Sequence, residues 1–148
     1  PGIISWKTNP GGGTTDYAIE IYNNALLIGK YDSFLNRNTK LPMMYMDDAI
    51  DATIKIMDAK PEKIKIRSSY NLAAMSFTPE EIALEIKKFI PDFEISYHED
   101  FRQKIADSWP QSIDDSKARE DWGWKPKFDI HKMSENMINS LHKKLENK

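Results

Sequence analysis

The segment Thr78-Pro79-Glu80-Glu81 is the strongest local constraint in this sequence. Thr at an N-cap, Pro at the first helical position and Glu three residues after the cap make a capping box, in which side chains satisfy backbone N–H groups that a helix start leaves open. Ile82, Ile86, Phe89 and Ile90 continue from it at helical spacing and Pro91 stops the run, so the stretch predicts a short amphipathic helix. Such a stripe has to be laid against other elements. Runs of strand composition flank it, residues 63–72 before and 93–97 after, which sets up an α/β alternation.

The rest of the chain repeats that alternation. Residues 1–7 read as a short buried strand and lead into the loop Thr8-Asn-Pro-Gly-Gly-Gly13. Thr14 or Thr15 then caps a helix whose apolar residues Ala18, Ile21, Tyr22 and Ala25 repeat at helical spacing, with Gly29 as its stop. Residues 31–35 and 41–46 read as strands around the polar turn Asn36-Arg-Asn-Thr39. Asp47 opens a second helix with Ile50, Thr53, Ile54 and Met57 as its inner face, and Asp47-Asp48 is read as a cap followed by a first-turn carboxylate favoured by the helix dipole. Asp114 or Asp115 starts a short helix, Trp122 and Trp124 flank its stop as core residues, and Met133, Met137, Ile138, Leu141 and Leu145 mark a terminal amphipathic helix. The count is five helices and three or four short strands.

Composition bounds the function classes. A chain of 148 residues with 40% hydrophobic and 30% charged residues suits one globular domain, and a net charge of −2 gives no reason to expect nucleic acid. The absence of Cys excludes a disulfide scaffold and a Cys-based zinc site and fits a reducing compartment, so a cytoplasmic setting is expected. No run approaches the ~18 apolar residues of a membrane span. His98, His131 and His142 are scattered without ligand spacing, so no metal site is expected. A chain opening on Pro1-Gly2 reads as a piece of something longer.

Two segments carry a specific resemblance: Leu41-Pro-Met-Met-Tyr-Met-Asp-Asp-Ala49 and Asp114-Asp-Ser-Lys-Ala-Arg-Glu-Asp-Trp-Gly-Trp-Lys-Pro126. Together they resemble the back half of an extended short-chain dehydrogenase/reductase, the NAD-dependent epimerase/dehydratase family. The resemblance implies an α/β fold made of the edge of a Rossmann-type sheet plus the small C-terminal substrate-binding lobe, with residues 1–148 as that portion and the dinucleotide-binding half outside the chain. Family members acting on nucleotide sugars carry Arg-Asp where this chain has Leu41-Pro42, and a second Arg where it has Trp109-Pro110. A guanidinium is the natural partner of a diphosphate, so both departures point to a small substrate without phosphate.

Within the family, the chain resembles the L-threonine 3-dehydrogenase branch in Pro1-Gly-Ile-Ile-Ser5, Gly13-Thr-Thr-Asp-Tyr-Ala18, Leu41-Pro-Met-Met-Tyr-Met46, Tyr70-Asn71, Phe77-Thr-Pro79 and Trp109-Pro110. That resemblance implies NAD-dependent oxidation of L-threonine to 2-amino-3-oxobutanoate by a homodimeric parent enzyme. It makes Pro1 and Ile3 contacts of the nicotinamide, and Gly13, Thr14, Thr15, Asp16 and Trp109 contacts of the substrate. Thr14 and Thr15 have a second reading as helix caps, and Trp109 as a core or hinge aromatic. No catalytic residue is assigned, because the sequence holds neither the family's Tyr-x-x-x-Lys nor a Gly-x-x-Gly-x-x-Gly after a strand. The piece alone is therefore expected to be inactive and not to bind NAD. A nucleotide-sugar epimerase or dehydratase, and a non-catalytic binding module, are the alternatives.

Overall fold

In the computed structural model, which describes residues 1–147, the elements run β1 (Gly2–Ile4), α1 (Tyr17–Ile28), β2 (Lys30–Ser33), β3 (Leu41–Tyr45), α2 (Met46–Asp58), β4 (Met75–Phe77), α3 (Pro79–Lys87), β5 (Glu94–Tyr97), α4 (Phe101–Asp107), α5 (Ser116–Trp122) and α6 (Ile130–Glu146). Short 3-10 turns cover Thr14–Asp16 and Pro61–Lys63. Two sheets form. The first has the order β1-β3-β4, with β1 parallel to β3 (Ile3 opposite Met44) and β4 antiparallel to it (Leu41 opposite Phe77). The second pairs β2 with β5 in parallel, Lys30 opposite Glu94. The α/β reading holds, with five strands where three or four were expected.

The main core lies where α1, α3 and α6 meet the central strand. All five residues of β3 are buried, as a strand covered on both faces requires. Tyr17, Ala18, Ile21, Tyr22 and Ala25 of α1 join Ile82 and Ile86 of α3 and Met133, Met137 and Leu141 of α6 in one core, so the periodicities of these three helices locate it; Leu145, the last residue of the α6 stripe, is exposed instead. Gly29 ends α1 in the left-handed region at φ 71°, the conformation its position demanded. The capping box at Thr78 forms as read: its hydroxyl accepts from the Glu81 N–H at 3.1 Å, and Glu81 accepts from the Thr78 N–H at 2.8 Å. A second, smaller core gathers Met44, Ala52, Ala118, Trp122 and Trp124, with the Tyr70 ring edge-on to Trp122 at 6.0 Å.

Several expectations are corrected. The supposed inner face of α2 points outward, with Ile50, Ile54 and Met57 at 51%, 54% and 77% exposure; the buried residues are Asp48 and Ala52. Asp47 does not cap α2, which starts one residue earlier. Asp48 instead accepts the backbone N–H groups of Lys127 (2.8 Å) and Phe128 (3.1 Å), tying the stretch before α6 to the helix start. Residues 63–72 form no strand, because the Tyr70 hydroxyl takes the N–H groups of Lys65 and Ile66 and itself donates to Asp121 at 2.8 Å. The strand at this point in the order is β4. Helix α4 was not foreseen; Asp100 caps it by accepting from the Arg102 N–H at 2.8 Å. The strands on either side of the polar turn at 36–39 do not pair with each other but enter different sheets.

Candidate functional site

A cleft of about 330 Å³ opens where the start of β1, the 3-10 turn, the second residue of β3 and the segment after α4 converge. Pro1, Gly2, Thr15, Pro42, Trp109, Pro110 and Ile113 line it. Gly2 lets the turn come close: a Cβ there would lie 2.7 Å from Thr15 Cγ2 and 2.7 Å from Met43 Sδ. Thr15 is thereby seated on the backbone of β1. No residue lining the cleft is ionisable in its side chain, and the polar side-chain groups among them are the Thr15 hydroxyl and the Trp109 indole N–H. Such a surface suits a small ligand with an aliphatic part, and offers no cation to a phosphate.

The loop leading to the turn is held from two sides. One oxygen of the Asp16 carboxylate accepts the N–H groups of Gly11 (2.6 Å) and Gly13 (2.9 Å). Between them Gly12 has φ 92°, a backbone conformation that favours glycine. From α4, the Arg102 guanidinium donates to the Gly12 carbonyl at 3.4 Å, lies 3.2 Å from the centre of the Phe34 ring and pairs with Asp100 at 2.6 Å. That pairing lowers the Asp100 carboxyl below its ordinary pKa.

Trp109 follows α4 and donates its backbone N–H to the Ala106 carbonyl at 3.0 Å, prolonging the last turn. Its side chain, 41% exposed, stands between the cleft and a polar cavity of about 390 Å³ bordered by Asn36, Thr39, Lys40, Gln103 and Asp107. Behind the turn, Tyr17 is fully buried and donates to the Phe77 carbonyl at 3.5 Å; burial raises its hydroxyl far above the ordinary tyrosine range. Burial also pushes Tyr45 up to about 12. Both are structural tyrosines, unsuited to exchanging protons near neutral pH.

Of the residues singled out from the sequence, Pro1, Thr15 and Trp109 come together in the cleft. Ile3 lies on β1 with 39% exposure, and Thr14 is buried beneath the turn. Gly13 and Asp16 bond to each other. Neither Thr14 nor Thr15 caps α1 through its side chain, and the Asp16 carboxylate accepts from the preceding loop rather than from the start of the helix. Gly2 and Ile113 are cleft residues the sequence did not single out. For Gly2 the signal was available, since a glycine inside a strand marks close backbone approach. For Ile113 nothing local marked it. Among the described residues no group of His, Asp and Glu is arranged to hold a metal, and no helix is long and apolar enough to cross a membrane.

No family model matches the chain. An uncharacterized epimerase/dehydratase of Staphylococcus haemolyticus is 52% identical to it over 149 residues, covering 100% of this chain and 47% of that protein. The mitochondrial L-threonine 3-dehydrogenase of Sus scrofa is 53% identical over 140 residues, 94% of this chain and 37% of that protein. Among solved structures, the L-threonine dehydrogenase from Phytophthora infestans superposes with a TM-score of 0.95 at 53% identity, covering 97% of this chain and 47% of that one. The chain is thus a homologue, over its whole length, of the L-threonine 3-dehydrogenase and epimerase/dehydratase-like proteins of the extended short-chain dehydrogenase/reductase type, and it spans about half the length of the relatives it matches.

Proposed function

We propose that residues 1–148 are the C-terminal, substrate-binding portion of an NAD-dependent L-threonine 3-dehydrogenase, which oxidises the β-hydroxyl of L-threonine to give 2-amino-3-oxobutanoate. The observation that carries this reading is the cleft itself: small, without a charged side chain, walled by Pro42 of the Leu41-Pro42 pair that stands where a diphosphate-binding enzyme of the family carries Arg-Asp, and by Trp109 where it carries its second Arg. The names of the relatives support the same choice.

In this reading Thr15 offers its hydroxyl to the substrate, Gly13 and Thr14 shape the turn that presents it, and Trp109 covers the bound molecule and keeps water from it. Pro1 and Ile3 form one wall for the nicotinamide. The fit is limited to that wall, because the amides of Gly11 and Gly13 are already engaged by Asp16 and leave no phosphate cradle. NAD, when bound, supplies the hydride acceptor. The chain supplies position, while the dinucleotide-binding half and the acid/base belong to the remainder of a longer protein.

Two surface features support a missing half. Strand β1 is an edge of its sheet with Ile3 exposed, and α2 beside it turns Ile50, Ile54 and Met57 outward. Parallel strands are ordinarily covered on both faces, and apolar rows of this kind are ordinarily packed. The parent is read as a homodimer in the cytoplasm; the pig relative is named as mitochondrial, and imaging the tagged full-length protein separates the two compartments.

The test is NAD reduction by the full-length protein with L-threonine, beside the 148-residue chain alone. Threonine-dependent NADH formation by the former and none by the latter is expected. Turnover of a nucleotide sugar with none of threonine would replace this reading with the epimerase/dehydratase one.

A further inference from the structure

The loop at residues 11–13 is three successive glycines with no side chain to fix it, yet it leads directly into the turn that bears Thr15. Ordering such a stretch costs more conformational entropy than any other sequence of that length. The structure holds it with groups from outside the loop: the Asp16 carboxylate on the N–H groups of Gly11 and Gly13, and the Arg102 guanidinium on the carbonyl of Gly12. Arg102 sits on α4, whose far end leads to Trp109. Both walls of the cleft, the turn and the tryptophan segment, are therefore joined through one residue.

We propose that Asp16 and Arg102 are positioning residues of the substrate cleft, which hold the Gly11–Gly13 loop so that Thr15 is fixed opposite Trp109 before substrate arrives. Asp16 acts through the loop, by the hydrogen bonds its carboxylate accepts from Gly11 and Gly13. The inference about substrate rests on the function proposed above, while the clamp itself does not.

The test has two arms. In the 148-residue chain, amide exchange of Gly11 and Gly13 by NMR should be faster in Asp16→Ala than in the unaltered chain and close to unaltered in Asp16→Asn, whose side-chain oxygen still accepts. In the full-length enzyme, loss of the clamp in Asp16→Ala should raise KM for L-threonine about tenfold, the size of a lost charge-assisted hydrogen bond. In the same variant kcat should stay within about twofold and KM for NAD unchanged, and Asp16→Asn should restore KM for threonine. Arg102→Ala, a second variant should Asp16→Ala fail to fold, should raise the same KM by about threefold, its bond being longer. Unchanged exchange at both glycines, or faster exchange with an unchanged KM for threonine, would overturn the proposal. If the unaltered enzyme does not oxidise threonine, the functional reading fails and the exchange rates alone decide the clamp.

Discussion

Asp47 and Asp48 look alike in the sequence and differ completely in the fold. Asp48 is fully buried and accepts two backbone N–H groups from Lys127 and Phe128, whereas Asp47 is exposed at the start of α2. The sequence read Asp47 as the cap and Asp48 as a first-turn carboxylate; Asp47 lies in the first turn without capping it, and the reading is incomplete for Asp48, whose partners lie about eighty residues away. Asp48→Ala leaves two donors without their acceptor at a junction that fixes α6. It is expected to lower stability by about 2 kcal/mol, measured by urea denaturation of the 148-residue chain, whereas Asp47→Ala stays within about 0.5 kcal/mol. The same contrast separates Thr15 from Thr14 in the candidate site: one lines the cleft, its neighbour is buried, and only the turn geometry tells them apart.

At the level of elements, helices with a partner inside this chain were legible and α2 was not. Its apolar residues at 50, 54 and 57 form an amphipathic stripe that the sequence read as the inner face; none of the described residues covers it, so it faces outward. Small residues do the inner packing instead, with Ala52 buried against Met44 and Trp124. Ile54→Glu should therefore leave the stability of the 148-residue chain unchanged within about 0.5 kcal/mol, since the side chain is already half in water. In the full-length protein the same change should lower the melting temperature by several degrees if the other half packs there. Equal behaviour of the two proteins would mean that this face stays in water in both. Helix α4 was missed for a different reason: at seven residues it is too short to establish a period, and only its cap at Asp100 announced it.

Across the whole molecule, α3 and α6 are joined by a polar side-chain contact as well as by core packing. Glu85 of α3 is buried, and its carboxylate pairs with Lys88 at 2.6 Å and with His131 of α6. Burial alone would raise its pKa, but the hydrogen bonds it accepts from Lys88 and His131 outweigh that and hold it below the ordinary glutamate value. A carboxyl whose pKa is depressed by folding contributes stability above its unfolded pKa and loses that contribution as the pH falls through the folded one. The urea midpoint should therefore fall as the pH drops below the ordinary glutamate range. Glu85→Gln should start lower at neutral pH and fall less over the same acid window. Next to this pair, the Tyr22 hydroxyl and Ser134 share a buried hydrogen bond of 2.6 Å, so the α1, α3 and α6 assembly is specified by polar as well as apolar contacts.

The sequence by itself located α1, α3 and α6, though not their exact ends, because the capping box at Thr78, the stop at Gly29 and 3.6-residue periodicity are written within one turn of the residues they govern. It also marked Thr15 and Trp109 through segments whose resemblance to a family is local. Only the tertiary structure decided that β2 joins β5 while β3 joins β1 and β4, that Tyr70 diverts residues 65–66 from a strand, and that Asp16 and Arg102 hold the glycine loop. The physical reason is range. A strand pairing of Lys30 with Glu94, or a guanidinium reaching from residue 102 to the carbonyl of residue 12, is set by three-dimensional packing, which a pattern confined to neighbours along the chain cannot encode.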